Sequence, residues 1–368
     1  MEGLLLPVDR HTLAVASAML LGFFAFLFAG SIVLPGIRAQ GQPLANGERR
    51  AYKISGMTLF LATHIVVAVG VLVFGLSLTP VLRYFKPLLV VANVFSLVAL
   101  AGILARGWIQ ERAIERHSKL PWLVHDIWFG NQLNPTFLGV DLKMFFYHPS
   151  LIGLGVILAA FPFRQYELYG RLTPQMGLFL CFWWAYLFTH YLKEEFMLST
   201  WDIIAEKFGF MLVWGDTVYV PFWYSICGWW LIDATKPFTT SAVLALAGFH
   251  TLGHWIFRTA NWQKDRYKRD RSAVIWGKPA RMLGGRLLVS GWWGIGRHMN
   301  YTGEIMVYTS FALCTGLVSP WPYLLPLSLV ILLTQRASRD DAKCSAKYGE
   351  LWKEYCRVAK FRVIPFVY

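Results

Sequence analysis

The sequence predicts an all-α, polytopic integral membrane protein with about ten transmembrane helices. Of its 368 residues, 56% are hydrophobic and only 15% are charged, which is far less charge than a soluble domain of this size carries. Apolar segments long enough to cross a bilayer recur along the chain, separated by short polar loops. The 17 Trp, 16 Tyr and 27 Phe residues suit aromatic belts at the two membrane interfaces.

Nine apolar segments account for most of these spans. The segment 208–232 is interrupted by Gly215, Asp216 and Pro221, so it is either one kinked span or two short ones. The chain is expected to form a single membrane domain, with N-terminal helices in 1–170 and a C-terminal half in 171–368. The other predicted spans are 13–34, 57–78, 87–104, 149–163, 176–192, 241–257, 305–318 and 320–334.

Positive charge is concentrated in two blocks near the C-terminus. The net charge is +14; residues 258–286 hold nine Lys/Arg and two Asp, and residues 336–362 hold eight Lys/Arg and four acids. Because the hairpin between the blocks turns at an uncharged loop, 316–323, both blocks return to the same membrane face, which the positive-inside rule makes cytoplasmic. Cations in such loops suit a membrane protein better than a nucleic-acid binder.

Other classes of site receive little support. The five cysteines show neither a CxxC motif nor a zinc-ligand pattern. His250 and His254 share a helix face, but no HExxH motif or third ligand accompanies them, so a hydrogen-bonded pair is favoured and no metal is predicted. The sequence also lacks a GxGxxG motif after a strand and a phosphate-binding GxxxxGK[ST] loop.

Polar side chains converge beside the two basic blocks. RHMNY, at 297–301, opens a span, and Asp340, Cys344 and Tyr348 recur at every fourth position on one face of a predicted interfacial helix pair over 336–356. Tyr355 follows seven residues later. These groups form either a pocket or an ordinary salt-bridged surface helix, and the basic run 264–271 either binds phosphate or faces anionic lipid.

Several long motifs resemble the sterol reductase family, which includes the sterol C-14 reductases, the membrane domain of the lamin B receptor, 7-dehydrocholesterol reductase and the C-24(28) reductases. The resemblance extends from about Gly41 to the end of the chain and is nearest to the C-14 reductases. The C-terminal tail also resembles isoprenylcysteine methyltransferase, but the N-terminal half and FRTANWQK do not. The matching blocks are GNQLNPTFLGVDLKMF (130–145), EFMLSTWDI with FGFMLVWGD (195–216), VPFWYS (220–225), FRTANWQKDRYK (257–268), LLVSGWWGIGRHMNYTGE (287–304) and RDDAKCSAKYGELWKEYC (339–356).

The resemblance implies an NADPH site in the C-terminal half, facing the cytoplasm. Lys268 departs from the family pattern, which usually has Arg there, and thereby loses a bidentate fork for phosphate. Catalytic roles are implied for Asp340, Tyr355 and Tyr186. The implied cofactor-binding residues are Lys264, Lys268, Leu288, Trp293, Arg297, Asn300, Tyr301, Arg336, Asp340, Cys344, Ser345, Ala346, Lys347, Tyr348 and Tyr355.

The implied reaction is reduction of a sterol carbon–carbon double bond, most simply Δ14, by protonation of the alkene followed by hydride transfer. Glu195 and Asp202 are candidates for a proton relay. The alternatives are a Δ7 or Δ24(28) reductase and a non-catalytic sterol-binding protein; a transporter would need inverted repeats. A multi-pass protein of the cytoplasmic membrane or endoplasmic reticulum is expected, with bilayer sterol and lipid as partners, no nucleic acid and no obligate protein partner.

Overall fold

The computed structural model describes residues 4–43, 47, 49–110, 116 and 119–367, most of which are helical. They form two compact units. The first runs to Leu172 and includes Trp183–Asp233, and the second comprises Thr173–Phe182 and the chain from Ala234 onward. The expected organisation as a single domain stays a prediction.

The first unit contains long helices joined by short antiparallel hairpins. Strand β1 pairs with β2, and β3 pairs with β4. In chain order the elements are α1 (Arg10–Val33), β1 (Ile37–Gln40), β2 (Ala51–Ile54), α2 (Gly56–Leu72), α3 (Thr79–Arg83), α4 (Phe85–Gln110), α5 (Trp122–Phe129), β3 (Thr136–Phe137), β4 (Val140–Asp141), α6 (Leu142–Tyr169), the second half of α7 (Pro174–Leu192), a 3₁₀ helix (Glu194–Ser199), α8 (Trp201–Ile204), α9 (Phe210–Trp214), a π-helix (Gly215–Trp223) and α10 (Ile226–Ile232).

Three helices among the described residues, α1, α4 and α6, are long and apolar enough to cross a membrane. Helix α6 is the central one, because 78% of its apolar stretch is buried, against 17% for α1 and 33% for α4. The interruption expected within 208–232 is a π-helix between α9 and α10. The predicted total of about ten spans stays a prediction.

Two buried ionic side chains fix the end of the first unit at which α2 and α6 begin. The Lys143 ammonium donates to the backbone carbonyls of Asp202, Ile203 and Glu206 at 2.5, 3.2 and 2.7 Å. The Glu194 carboxylate accepts hydrogen bonds from the Gly56 N–H and from His148 Nε2. Because a buried charge is costly unless it is hydrogen-bonded, these contacts hold the segment 194–206 in one position against α6.

The second unit is built from three long helices and a set of short hairpins. Strands β5 and β6 pair, as do β7 and β8. The elements are the first half of α7, α11 (Thr240–Arg269), β5 (Val274–Ile275), β6 (Lys278–Pro279), β7 (Met282–Leu283), β8 (Leu287–Leu288), a 3₁₀ helix (Gly291–Gly294), α12 (Met299–Leu313), a second 3₁₀ helix (Trp321–Tyr323), α13 (Leu324–Tyr348) and α14 (Glu350–Val358).

Helices α11 and α12 pack unusually closely in the second unit. A Cβ added at Gly253 would lie 2.6 Å from the Cβ of Met306, and one added at Gly303 would lie 2.6 Å from the carbonyl oxygen of Gly253. Small residues permit such close approach of helix backbones. Helix α11 also continues to Arg269, well beyond the predicted span end at 257, and it carries Lys264 and Lys268 out of the apolar region.

The predicted pair of interfacial helices over 336–356 was wrong in one respect. Its first member is not a separate helix, because α13 runs unbroken from Leu324 to Tyr348 and joins the apolar segment to the polar one. The chain turns at Gly349, where φ is +56°, and α14 follows. Tyr355 therefore lies on a different helix from Asp340, Cys344 and Tyr348.

Replacing Gly56 by Ala should destabilise the first unit. The Gly56 N–H donates to Glu194 Oε2 at 2.7 Å, and an added Cβ would lie 2.5 Å from the same carboxylate. Since His148 also holds that carboxylate, it cannot retreat freely, and we expect the free energy of unfolding to fall by about 1–3 kcal/mol. Thermal unfolding of the purified chain in detergent measures this loss.

Gly22→Ala is the matched control, because an added Cβ there meets no atom within 4 Å. Equal unfolding temperatures for Gly56→Ala and Gly22→Ala would contradict the role assigned to Gly56.

Candidate active site

The candidate site in the second unit is organised around Trp293, which is buried in the 3₁₀ helix of the GWWG motif. Its indole N–H donates to the Ala260 carbonyl at 2.9 Å, and its own carbonyl accepts a hydrogen bond from the Tyr355 hydroxyl at 3.1 Å. The Lys264 ammonium lies 4.5 Å from the centre of the indole ring, a cation–π arrangement. These contacts join α11, the GWWG turn and α14.

Gln263 fixes the same turn from the neighbouring position on α11. Its side-chain oxygen accepts a hydrogen bond from the Trp292 backbone N–H at 3.0 Å, and the Trp292 indole donates to Thr259 Oγ1 at 2.8 Å. An apolar cluster beneath the turn contains Tyr267, Ile275, Leu288 and Trp293. The FRTANWQK block of α11 thus holds the GWWG turn mainly through hydrogen bonds.

A group of charged side chains surrounds His298 at the start of α12. Its Nε2 atom lies 3.9 Å from Asp340 Oδ2 and 4.0 Å from Asp341 Oδ1. Asp341 is also paired with Arg297 at 3.5 Å and with Arg362 at 2.5 Å. The distances from His298 to the two carboxylates exceed a hydrogen bond, so neither carboxylate accepts one directly from this imidazole nitrogen.

Burial lowers the pKa of His298 to about 3, and the positive charges of Lys264, Arg297 and Arg362 act in the same direction. The imidazole is therefore neutral at pH 7. It stacks on the Tyr301 ring, with 4.9 Å between ring centres and 7° between ring planes. A neutral His298 can accept as well as donate a hydrogen bond.

Asn300 provides an unsatisfied acceptor within the same motif. Its Nδ2 atom donates to Asn261 Oδ1 at 3.2 Å, while its buried Oδ1 atom has no hydrogen-bond partner among the described residues. Because native proteins rarely leave buried polar atoms unpaired, this oxygen marks a place for a ligand or water. His298 Nε2 is a second buried atom without a hydrogen-bond partner there.

The tail contributes an aromatic face to the second unit. The rings of Tyr348 and Trp352 stack at 6.5 Å, and those of Trp352 and Tyr355 lie 5.1 Å apart. Burial raises the pKa of the Tyr355 phenol well above its usual value. Burial, and next the charge of Asp340, raise the pKa of Cys344 to about 11. Both side chains are therefore protonated at neutral pH.

The remaining predicted residues vary in exposure. Arg297 donates to the carbonyls of Ala359 and Lys360 at 3.1 and 3.3 Å, and Arg336 is half-buried on α13. Lys268 is exposed one turn beyond Lys264; restricted hydration and the charge of Lys264 lower its pKa. Ser345, Ala346 and Lys347 are exposed on the last turn of α13.

Tyr186 lies in the first unit, on α7, where its ring packs edge-on against Trp183 at 5.8 Å. Its proposed catalytic role stays a prediction. The buried carboxylate of the nearby EE pair is Glu194, whereas Glu195 is exposed. Glu194 accepts from His148 Nε2 at 2.7 Å. Burial alone would raise the pKa of Glu194, but hydrogen bonds and nearby histidines hold it below its ordinary value.

Sequence reasoning missed four residues of the candidate site: Gln263, His298, Asp341 and Arg362. His298 lies inside the quoted RHMNY motif and Gln263 inside FRTANWQK, so both could have been chosen from the motifs. Asp341 has no such signal, because spacing along α13 pointed to Asp340, and the structure pairs Asp341 with two arginines instead. Arg362 lies beyond α14, in a segment for which no periodicity predicts a direction.

Replacing His298 by Asn should weaken the dependence of stability on pH. An unfolded histidine has a pKa near 6.5, so between pH 6.5 and about 3 the unfolded wild type binds one proton more than the folded protein. Its free energy of unfolding then falls by about 1.4 kcal/mol per pH unit as the solution is acidified. Unfolding in detergent at about pH 7 and about pH 5 measures the slope.

His11→Asn, at an exposed position, should leave that slope at the wild-type value. A slope for His298→Asn equal to that of wild type would contradict the buried neutral state.

Three relatives of this chain indicate its family. The Delta(14)-sterol reductase of Arabidopsis thaliana is 36% identical over 354 residues, covering 95% of each chain. That of Methylotuvimicrobium alcaliphilum is 38% identical over 94% of this chain and 83% of the relative. A protein of Acanthamoeba polyphaga mimivirus described as "Probable 7-dehydrocholesterol reductase" is 32% identical over 90% of this chain and 76% of the relative.

A sequence model described as "Ergosterol biosynthesis ERG4/ERG24 family" matches residues 10–368. The resemblance carried by the motifs is thereby confirmed, and the chain belongs to the ERG4/ERG24 family of ergosterol biosynthesis.

Proposed function

We propose that this protein reduces the Δ14 double bond (C14=C15) of a sterol, with NADPH as the reductant. The observation that carries the proposal is its similarity, along nearly the whole chain, to the Delta(14)-sterol reductases of a plant and a bacterium at 36% and 38% identity. The side chains gathered around Trp293 and His298 supply groups that suit such a reaction.

The residues of the second unit fit a dinucleotide with phosphate groups. Lys264 and Lys268 are cations one turn apart on α11, and ammonium groups suit phosphate oxygens. The unsatisfied Asn300 Oδ1 and His298 Nε2 atoms suit an amide such as that of a nicotinamide, which both donates and accepts hydrogen bonds. The Tyr301 ring, which stacks on His298, adds an aromatic face beside these polar atoms.

The chemistry requires a proton and a hydride on adjacent carbons. When bound, NADPH supplies the hydride. An unactivated alkene accepts hydride poorly, so one carbon is protonated first, which leaves a carbocation at the other. Tyr355 holds its proton at neutral pH and directs it at the Trp293 carbonyl. Asp340, 3.9 Å from His298, is a second proton-carrying candidate, and Tyr186 is a third.

We also propose that the chain crosses the membrane about ten times and that its cofactor pocket faces the cytoplasm. Sterols dissolve in the bilayer, whereas NADPH is polyanionic and water-soluble. The two basic blocks flank one uncharged turn in the sequence, which supports a cytoplasmic location for both of them. The sterol then enters from the lipid, and no protein partner is needed for the reaction.

The deciding experiment supplies the purified protein with NADPH and, in separate reactions, Δ14, Δ7 and Δ24(28) sterols. We expect loss of the Δ14 double bond and incorporation of one deuterium from NADPH dideuterated at C4, because the cofactor supplies the hydride and the protein supplies the proton. Mass spectrometry of the products measures both. Reduction of the Δ7 or Δ24(28) sterol in place of the Δ14 sterol would overturn the assignment of the double bond, and binding without reduction would favour a sterol-binding protein.

Tyr355→Phe and Asp340→Ala test the two proposed proton donors in that assay. Each should lower turnover by at least about tenfold, because general acids contribute 10²–10⁴-fold. Phe keeps the ring packing against Trp352 but removes the hydrogen bond to the Trp293 carbonyl, so the unfolding temperature of the same variant in detergent is measured beside its turnover. Wild-type turnover by both variants would remove the proposed catalytic roles.

Lys264→Ala should raise the apparent KM for NADPH more than the KM for sterol. Loss of one charge-assisted contact with phosphate costs about 1.5–3 kcal/mol, or roughly tenfold to a hundredfold in affinity. Steady-state kinetics with each substrate varied in turn measures the difference. Lys278→Ala removes an exposed cation from the same basic block and serves as the control; an equal change in both variants would argue against a specific role for Lys264.

A further inference from the structure

A polar cleft in the first unit lies outside the candidate active site. Its volume is about 250 Å³, and it is lined by Arg50, Arg106, Gln110 and the loop Gln132–Leu133–Asn134–Pro135–Thr136. At about 30 Å³ per water molecule, the cleft holds a group the size of a hydrated phosphate. Among the described lining residues there are two cations and no acid.

The two guanidinium groups are held in place by the cleft wall. Arg50 donates to the carbonyl of Asn134 at 2.8 Å. Arg106 donates to the carbonyl of Thr136 and, at 3.1 Å, to Gln110 Oε1. These bonds use one N–H of Arg50 and two of Arg106, out of five on each guanidinium. Pre-oriented guanidinium groups are suited to the oxygens of a phosphate.

The loop beneath the arginines is fixed as well. The Gln132 carbonyl accepts from the Phe208 backbone N–H at 2.8 Å, and Asn131 Nδ2 donates to the Leu104 carbonyl at 2.8 Å. In contrast, the amide group of Asn134, a residue only 6% exposed, has no hydrogen-bond partner for Oδ1 or Nδ2 among the described residues. A rigid site with an unsatisfied buried amide indicates a missing polar ligand.

One acid acts on this cleft electrostatically without lining it. Asp141, the N-cap of α6, interacts with Arg50, but it interacts more strongly with Lys143. Its single negative charge is therefore shared, and it does not neutralise Arg50 and Arg106 together. The cleft keeps a positive potential that favours an anion.

The neighbouring helix α5 indicates where this anion comes from. Its exposed residues are apolar, whereas its buried residues are His125 and Asp126, the reverse of a soluble amphipathic helix. Asp126 ties the helix down by accepting from Trp108 at 3.0 Å and from Arg116 at 2.8 Å. The exposed apolar residues are Trp122, Leu123, Val124, Ile127 and Trp128. Such a face, rich in Trp, lies in the boundary between lipid headgroups and acyl chains.

Helix α5 leads directly into the loop of the cleft, and Arg106 and Gln110 lie in the last turns of α4, a helix able to cross the membrane. The cleft is thus at headgroup depth. We propose that it binds the phosphate group of a bilayer phospholipid, with Arg50 and Arg106 as the cationic ligands and α5 covering the start of the acyl chains. The same phosphate chemistry also suits free inorganic phosphate, so the test separates the two sources.

The test uses native mass spectrometry of the full-length protein in detergent, titrated separately with phosphatidylglycerol, with diacylglycerol of the same acyl chains and with inorganic phosphate. We expect wild type to retain phosphatidylglycerol in preference to diacylglycerol. The double variant Arg50→Gln/Arg106→Gln should bind it at least about tenfold more weakly, since each lost charge contact is worth about 1 kcal/mol near a membrane. Arg38→Gln, on the same β-hairpin but outside the cleft, is the matched control.

Gln110→Glu is a second variant that tests the cleft independently if the double variant does not fold. Gln110 is exposed, and its Oε1 atom accepts from Arg106 and Gln132, so a carboxylate keeps those bonds while placing a negative charge at the cleft. It too should bind phosphatidylglycerol more weakly. Equal binding by wild type, Gln110→Glu and the double variant would overturn the proposal. So would arginine-dependent binding of inorganic phosphate without retention of phosphatidylglycerol, which would exclude a lipid as the source.

Discussion

The hydrogen bond from the Tyr355 hydroxyl to the Trp293 carbonyl, 3.1 Å long, holds the candidate active site together. The 3₁₀ turn that carries Trp293 leaves this buried carbonyl without a helical partner, and Tyr355 satisfies it. Through the same residue, the indole N–H is tied to α11 and the indole face supports Lys264. The Tyr355 hydroxyl and the Lys264 ammonium, which we propose as proton donor and phosphate ligand, thus contact the same tryptophan, one at its carbonyl and the other at its indole ring.

The catalytic role that we propose for Tyr355 competes with its structural role in the turn. As long as its proton is directed at the carbonyl, it stabilises the turn; to protonate a substrate, it must give up that bond. Leaving a buried carbonyl unsatisfied costs about 1–3 kcal/mol, which would add to the barrier of any proton transfer.

The first unit stabilises its two buried ionic side chains through hydrogen bonds to fixed polar groups. Lys143 is paired with backbone carbonyls and Glu194 with a backbone N–H and an imidazole. Each ion faces dipoles that the fold fixes in advance, so little reorganisation is needed to keep it charged. Removing one partner of such a contact destabilises the protein, because it leaves an uncompensated buried charge. This explains why polar residues of the DLKMF and STWDI motifs lie where α6, α8 and the 3₁₀ helix meet.

Much of the fold could be predicted from the sequence, because apolar runs of 20 residues have few alternatives to helices. The interruption near Pro221 was also predictable, because proline removes a helical hydrogen bond. The continuation of α13 to Tyr348 could not be predicted. The segment 336–348 has the composition of an interfacial helix and also the propensity to extend the preceding span. In the candidate site, family motifs identified Lys264, Trp293 and Tyr355. Asp341 and Arg362 belong to the site because they form an ion pair between segments distant in sequence, and the spacing of residues along one helix does not predict such a pair.

Lys268 illustrates how local structure modifies a motif. An arginine here would offer a planar fork, whereas an ammonium group offers a compact, strongly hydrated charge. Lys268 is exposed and lies one turn from Lys264, and restricted hydration and, next, the like charge of Lys264 lower its pKa. Binding a phosphate between the two would relieve that repulsion, so the pair gains more from an anion than two separate lysines would. Lysine in place of arginine therefore keeps the charge and loses the planar fork, so the phosphate contact that we propose for Lys268 rests on charge alone and weakens as salt screens it.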